Sequence, residues 1–310
     1  MNNSDKETDV AIIGAGTSGL SAAIYASRKN LKVKVFETAA AGGQTANAIL
    51  VENYPGFRKI KGAELSDKIR QHAEDLGAII EEALEVKKIE KDGDVFTLIL
   101  EDDSKETAKS IIIATGMKYR KLNTPGEDEL YGKGISYCAT CDGPAFAGRK
   151  VAIIGGGNSG ATAALFFAEI AEKSILIEYN EKLACDEVYQ KELENSKVKV
   201  ILNSQVVKIK GKERVESIEI KDRENEKTEN IEIDGVFPYI GFIPSSEFAK
   251  NSGIELDERK FIKIDEKNKT SMEGIFAAGD VTGTTAQAVV AAGEGAKAAL
   301  SAYDWLRVKK

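Results

Sequence analysis

Val10-Ala11-Ile12-Ile13-Gly14-Ala15-Gly16-Thr17-Ser18-Gly19-Leu20 is the stretch that decides the fold. Four apolar residues in a row suit a strand buried on both faces of a parallel sheet. Glycines 14, 16 and 19 follow at once, and the Ala-rich run from Leu20 to Ser27 predicts a helix. Val33-Lys34-Val35-Phe36 predicts a second strand, which Glu37 ends. This is a βαβ unit around a G-x-G-x-x-G turn. The first glycine makes the tight turn, the second lets backbone approach a pyrophosphate, and the third lets the helix pack close to the strand. The helix N-terminus offers the phosphates unpaired N–H groups and a partial positive charge.

The plan occurs twice. Val151-Ala152-Ile153-Ile154 predicts a strand, Gly155-Gly156-Gly157-Asn158-Ser159-Gly160 a turn, Ala161 to Ile170 a helix, and Ile175-Leu176-Ile177 a second strand ending in Glu178. From Gly14 to Glu37 and from Gly155 to Glu178 is the same 23 positions. Each acid stands where a ribose-binding carboxylate belongs. One glycine turn is weak evidence, because such turns also serve geometry alone. Two copies in the same context predict two dinucleotide folds, with Gly155, Gly157, Gly160 and Glu178 as the candidate site for a nicotinamide dinucleotide.

The rest of the repeat follows. Val86 to Leu100 predicts a β-hairpin around Asp92-Gly93, and Val206 to Ile220 another around Lys210-Gly211. Ile111-Ile112-Ile113 then precedes Ala114-Thr115-Gly116, as Val236-Phe237 precedes Tyr239-Ile240-Gly241. Linkers are expected at Asn123-Thr124-Pro125-Gly126 and Gly241-Phe242-Ile243-Pro244. The tail from about residue 245 is too short for a domain, so Ala277-Ala278-Gly279-Asp280 and the Ala-rich helix from Thr285 are expected to complete the first domain. The expected fold class is α/β: two Rossmann-like, three-layer dinucleotide-binding domains, the second inserted into the first. The expected boundaries are 1–121 plus 245–310 for one domain and 122–244 for the other.

Composition narrows the function. Of 310 residues, 42% are hydrophobic and 30% charged, and 43 Lys plus Arg against 50 Asp plus Glu leave a net charge of −7. That balance suits a soluble globular chain and lacks the basic footprint of a nucleic-acid binder. No apolar run approaches the ~18 residues a membrane span needs. The polar start, Met1 to Asp9, has no apolar signal-peptide core, so a cytoplasmic protein is expected.

In that compartment the three cysteines, Cys138, Cys141 and Cys185, imply redox or metal chemistry before structural bridges. Cys138-Ala139-Thr140-Cys141-Asp142 is the reactive candidate. Two thiols three positions apart can close a small redox disulfide, and the motif lowers one thiol's pKa. Exchange with a partner disulfide needs that thiolate, and an acid for the leaving sulfur, for which adjacent Asp142 is the best candidate. His72, the one histidine, lies in a charged helical stretch and reads as a surface residue. The rival reading is zinc, but a structural site wants four ligands, and Cys185 and His72 form no second pair. Cys185 reads as an unreactive thiol.

These motifs, in this order, resemble the low-molecular-weight thioredoxin reductases of the flavin-dependent disulfide reductase superfamily. The resemblance runs from Gly14–Gly19 and Glu37 through Gly42-Gly43-Gln44, Glu52-Asn53-Tyr54-Pro55-Gly56, Ala114-Thr115-Gly116, Tyr137-Cys138-Ala139-Thr140-Cys141-Asp142-Gly143 and the second glycine turn to Ala278-Gly279-Asp280-Val281 and Gln287-Ala288. It implies FAD in the first domain: Glu37 on the adenosine ribose, Gly14, Gly16 and Gly19 on the pyrophosphate, and Gln44, Asn53, Asp280 and Gln287 at the ribityl chain and flavin edge. Gly43, Gly116 and Gly279 belong to the same site. Turn chemistry alone is the plainer reading of Gln44 and Asn53, flanked by Gly42-Gly43 and Pro55-Gly56. The resemblance further implies a homodimer, electron flow from flavin to a Cys138–Cys141 disulfide and on to thioredoxin, Cys141 as the sulfur nearer the flavin, and Cys138 as the one that attacks the partner.

The chain departs from this family where NADPH users carry H-R-R-x-x-x-R. Those arginines hold a doubly charged 2′-phosphate, a task for guanidinium forks. Here the stretch is Glu178-Tyr179-Asn180-Glu181-Lys182-Leu183-Ala184, with none of the arginines, and Glu178 would repel the phosphate. Three explanations compete: NADH, with Glu178 accepting from ribose hydroxyls; another donor, such as ferredoxin or a deazaflavin; or other residues that restore NADPH. A donor other than NADPH ranks first. Ala286 also stands where an Arg usually precedes Gln287. A dithiol oxidase and a ferredoxin–NADP oxidoreductase are alternative enzymes of related fold; a redox-sensing or zinc-binding interaction module is the non-enzyme alternative.

Overall fold

The computed structural model describes residues 8–48 and 50–309 and, for Cys141, the backbone. The start of the chain read for a leader, Met1 to Glu7, lies outside the described residues. The chain divides into two units, Met1–Lys118 with Pro244–Lys310, and Tyr119–Ile243. The first junction comes before residue 121 because the Tyr119 ring packs with Tyr137, Tyr239 and Phe242 of the second unit.

In the first unit the chain runs β1 (Thr8–Ile13), α1 (Thr17–Ser27), β2 (Val33–Phe36), α2 (Gly43–Ala46), α3 (Gly62–Asp75), β3 (Ile79–Glu81), β4 (Val86–Asp92), β5 (Val95–Leu100) and β6 (Lys105–Ile113). The connecting strand β7 (Met117–Tyr119) leads to the second unit: α4 (Glu127–Leu130), α5 (Ala139–Asp142), β8 (Lys150–Ile154), α6 (Asn158–Ile170), β9 (Lys173–Ile177), α7 (Glu187–Glu194), β10 (Lys199–Ile201), β11 (Ser204–Lys210), β12 (Ser217–Asp222), β13 (Thr228–Glu232) and β14 (Gly235–Pro238). The strand β15 (Phe242–Pro244) returns to the first unit, which ends with α8 (Glu247–Asn251), β16 (Ile275–Ala277) and α9 (Ala288–Val308).

Each unit is the same α/β plan. In the first, β3-β2-β1-β6 is parallel, β16 adds parallel to the C-terminal half of β6 through Ile275–Ile111, and β4-β5 pair antiparallel onto its N-terminal half through Phe96–Ala108. In the second, β10-β9-β8-β14 is parallel and β11-β12-β13 is an antiparallel meander. The alternation along β1 shows why all four residues from Val10 to Ile13 are apolar. Val10 and Ile12 enter one core with α1 and α9, and Ala11 and Ile13 enter another with Phe96, Leu98 and Ile262. Burying two such faces, at ~25 cal/mol per Å² of apolar surface, is what holds a parallel strand inside a three-layer unit. As expected from the tail, β16 and α9 complete the first unit. The expected helices and hairpins are present, with the Asp92-Gly93 turn between β4 and β5; the last helix starts at Ala288 rather than Thr285, and the second hairpin turns over residues 211–216, after Lys210, which pairs with Ser217. The strand β13 is one the sequence did not announce, since Thr228-Glu229-Asn230-Ile231-Glu232 has a single buried residue, Ile231.

Candidate active site

Both glycine turns sit at the carboxyl ends of their central strands. Gly14 and Gly155 adopt the left-handed φ values of +102° and +110°, and a Cβ there would lie 2.4 Å from the Ala114 carbonyl oxygen or 2.2 Å from that of Tyr239. Gly19 and Gly160 pack equally tightly, each with an ideal Cβ 1.8 Å from the carbonyl oxygen of its own turn's first glycine. Only glycine fits either pair. Each turn also takes the acid that ends the second strand. Ala15 donates its N–H to Glu37 Oε2 at 2.7 Å, and Gly156 donates to Glu178 Oε2 at 2.5 Å. The repeat is therefore a repeat of contacts as well as of letters.

The first crevice gathers the residues assigned to it. Gly42 donates its N–H to the Ala15 carbonyl at 2.8 Å, and Gly16 and Gly42 form a parallel bridge. A Cβ on Gly43 would lie 2.9 Å from Gly16 Cα, so this loop presses backbone against backbone beside the turn. Gly279, at φ +77°, lies against Ser18 of α1 and donates its N–H to Glu294 Oε2 at 2.8 Å. Asp280 follows. Its Oδ1 is buried with no partner among the described residues, and burial, then the nearby Glu294, raises its carboxyl above the usual range. A buried carboxylate oxygen without a donor is costly by itself and suits a ligand hydroxyl. Asn53 Nδ2 donates to Gln287 Oε1 at 3.0 Å, and Gln44 Nε2 donates to the Met117 carbonyl at 3.3 Å. Gly116 is at φ +62° with open space where a Cβ would be. The half-buried Glu37 also accepts from the Ala39 N–H and the Thr38 hydroxyl, both at 3.1 Å. A bare backbone cradle, a carboxylate at the second strand and an orphaned buried acid fit FAD.

The second crevice is built over the same turn and filled differently. Glu178 is buried, and its Oε1 accepts both the backbone N–H and the Nδ2 of Asn180, at 2.8 and 2.7 Å. Leu183 and the Glu178 carboxylate cover Gly156. Asn158, the first residue of α6, is clipped to Asp186, its Nδ2 donating to Asp186 Oδ2 at 3.0 Å and its Oδ1 accepting the Asp186 N–H at 2.8 Å. Arg223 stacks on the exposed Tyr179 ring, 3.7 Å from its centroid, and donates to the Tyr179 carbonyl at 2.9 Å. A cavity of about 340 Å³ remains, lined by Gly157, Asn158, Ser159 and Gly160 of the turn and by the rings of Tyr119, Tyr239 and Phe242.

The thiol motif lies in this unit. Cys138 is half-buried and disulfide-bonded. The Cys141 side chain lies outside the described residues, so the pairing of Cys138 with it stays an expectation. Its backbone belongs to the short helix α5, in which the Asp142 N–H bonds the Cys138 carbonyl at 3.1 Å; the Asp142 side chain is exposed. Two phenols flank the motif. Tyr137 donates to Glu127 Oε1 at 2.5 Å, and burial, then that bond to Glu127, pushes its pKa far up. Glu127 is buried and also takes the N–H groups of Leu122 and Asn123. The Tyr239 hydroxyl accepts the Ala139 N–H at 3.1 Å, and burial pushes that phenol up to about 12. Cys185 is a free thiol, buried, with its pKa raised first by burial, so it is a poor nucleophile. His72 is exposed on α3.

Sequence reasoning missed Tyr239, Asn180, and the Asn158–Asp186 clip. The clip and Asn180 leave no periodic signal. Tyr239 did leave one, because it stands in the second copy where Ala114 stands in the first.

Two dinucleotide folds, one inserted into the other and carrying a redox-type cysteine motif, define an FAD-dependent oxidoreductase. The chain matches the model of the pyridine nucleotide-disulphide oxidoreductases over residues 8–295, and it belongs to that family. It is 38% identical over 304 residues to the 34.2 kDa protein in the rubredoxin operon of Clostridium pasteurianum, covering 97% of this chain and 98% of that one. It is also 37% identical over 305 residues to an NADH dehydrogenase of Bacillus subtilis, where the match takes in 97% of this chain but 59% of the relative's length. Among solved structures, T. acidophilum thioredoxin reductase matches with 45% identity and a TM-score of 0.92, over 96% of this chain and 98% of that one. The chain is a thioredoxin reductase-like flavin disulfide oxidoreductase.

Proposed function

We propose that this protein reduces thioredoxin or a thioredoxin-like partner through Cys138 and Cys141, with electrons from a donor other than NADPH. The observation that carries the donor reading is the Glu178 carboxylate. It is buried where a 2′-phosphate would need arginines, and both its oxygens already bond protein donors. The guanidinium that does reach this loop, Arg223, is spent on the ring and carbonyl of Tyr179.

When bound, FAD supplies a two-electron carrier. In this reading Gly14, Gly16, Gly19 and Gly43 bring backbone to its pyrophosphate, Glu37 meets the adenosine ribose, Asp280 accepts a ribityl hydroxyl, and Gln44, Asn53, Gly116, Gly279 and Gln287 complete the edge. Gly155, Gly157 and Gly160 keep a nucleotide-shaped turn in the second unit. The thiol chemistry is the chain's own. In the reduced enzyme the Cys138 thiolate attacks one sulfur of the partner disulfide, and a mixed disulfide forms as the partner's other sulfur leaves and takes a proton. The Cys141 thiolate then attacks Cys138, the Cys138–Cys141 bond forms, and the second partner sulfur leaves and takes a proton. In this reading Asp142, exposed and next to Cys141 in sequence, delivers one of them. A cytoplasmic homodimer belongs to the same reading.

The test is anaerobic. NADPH leaves the flavin absorbance unchanged, dithionite bleaches it, and the bleached enzyme reduces thioredoxin. Cys138→Ser and Cys141→Ser keep the flavin and lose thioredoxin turnover by about 10³-fold or more, a loss of ~4 kcal/mol in transition-state stabilisation. Bleaching by NADH would assign the donor to Glu178 as a ribose ligand. Rapid bleaching by NADPH, or turnover retained in either cysteine variant, overturns the reading.

A further inference from the structure

Tyr239 is the side chain by which the second crevice departs most from the first. Its backbone does what Ala114 does. The carbonyls of Ala114 and Tyr239 close on Gly14 and Gly155, and their Cβ atoms lie 3.4 and 3.6 Å from where a Cβ on Gly19 or Gly160 would be. The two residues are therefore equivalent, each at the carboxyl end of a central parallel strand, the edge outside which dinucleotides bind. In the first unit the side chain stops at Cβ. In the second a phenol continues from the same point and forms a wall of the 340 Å³ cavity beside Gly157–Gly160. That volume is at the bottom of the range of small-molecule pockets, ~300–1,000 Å³.

The ring is held in place at both ends. Its backbone N–H donates to the Ile154 carbonyl at 2.6 Å, its hydroxyl takes the Ala139 N–H at 3.1 Å, and the Tyr119 ring meets it edge-on at 6.3 Å between centroids. Phe242 closes the same side against Tyr119, 5.0 Å away.

We propose that the Tyr239 ring is a size filter on the second crevice, leaving room for a mononucleotide-sized ligand and holding out a nicotinamide dinucleotide. This rests on the reading above that the crevice is no NADPH site, which Glu178 carries, and it extends the exclusion to NADH through a second side chain. A dinucleotide enters only when the ring swings away and gives up Ala139, the residue after Cys138. Its apparent affinity falls by the small fraction of molecules in which the ring has moved.

Equilibrium dialysis of NAD⁺ and of AMP against the oxidised flavoprotein tests this. Tyr239→Ala is expected to tighten NAD⁺ binding tenfold or more and to leave AMP within twofold. Tyr239→Phe, which keeps the ring but not its bond to Ala139, is expected to tighten NAD⁺ two- to fivefold. Flavin content and thiol titre equal to those of the unaltered protein establish that each variant is folded. NAD⁺ binding that is unchanged or weaker in both variants overturns the proposal, as does an AMP affinity that rises as much as that of NAD⁺. Failure of the reading it rests on shows instead as rapid flavin bleaching by NADPH, which the dialysis of NAD⁺ and AMP does not touch.

Discussion

Around Gly14 the Ala114 carbonyl closes the turn, and around Gly155 the Tyr239 carbonyl does the same, yet the two crevices offer different things to a ligand. One has a half-buried acid, an orphaned carboxylate in Asp280 and bare backbone from Gly42-Gly43. The other has a buried acid, three aromatic rings and a carboxylate clipped to the start of its helix. The first and third glycines of each turn, Gly14 and Gly19, Gly155 and Gly160, answer to the strand–turn–helix geometry, and they would be needed in either copy whether or not anything bound there. What a crevice accepts is written in the side chains that stand over the turn.

The strongest way to break this comparison is to damage both turns alike. Gly14→Val and Gly155→Val each force a side chain into left-handed backbone and onto a carbonyl. The first is expected to yield protein without flavin. The second keeps its flavin and loses stability by about 1–3 kcal/mol from backbone strain, and more where the carbonyl cannot yield. Flavin absorbance of the purified variants and their urea midpoints decide it; loss of flavin in both would erase the distinction between the copies.

A smaller effect is expected at Asp280. Burial raises its carboxyl in the folded state, so the flavin-free protein binds this proton more tightly than the unfolded chain does. Its contribution is fully present below the ordinary carboxylate value of ~3.9 and is lost as pH rises through the raised one. Urea unfolding of stripped protein across that interval should show the decline, and Asp280→Asn should remove it. In the same variant FAD affinity falls by about tenfold or more, in line with ~1.5–3 kcal/mol for a hydrogen bond to a charged group.

The smallest concerns the loop after each acid. Thr38 bonds Glu37 in the first copy, whereas Tyr179 in the second carries Arg223 on its ring. Arg223→Ala is expected to cost about 0.5–1 kcal/mol, the value of an exposed cation–π pair, with flavin content unchanged. The shift in urea midpoint measures it.

What could be read beforehand follows from where information sits. Val10–Ile13 and Val151–Ile154 announce parallel strands because they are apolar on both faces, and Glu37 and Glu178 keep their spacing because each must reach back to its turn. The inserted topology was legible because the tail from about residue 245 is too short for a domain; in the structure its Ile275–Ala277 adds a strand to the first sheet. The spacing of Glu178 reads as that of a ribose ligand, and a letter carries no record of its burial or of the Asn180 groups whose hydrogen bonds its Oε1 accepts. Tyr137 passed as a motif neighbour although its partner, Glu127, is a buried acid whose three donors come from scattered positions. Contacts between elements that share no period leave nothing to read.

The insertion also sets an order of manufacture. Between β6 and β16, partners side by side in one sheet, the chain makes all of residues 119–243. A domain that closes over so long a loop pairs late and slowly. During synthesis the inserted unit is whole while the enclosing one still lacks a parallel strand, α9 and the Gly279-Asp280 pair. Domains fold as units as they emerge, so the newer half of the polypeptide's middle is finished before the crevice begun by its first residues. Flavin capture is thereby expected at the end of the chain's assembly, and a nascent protein truncated before Ile275 is expected to hold a folded thiol unit and a first unit whose sheet is still short of β16.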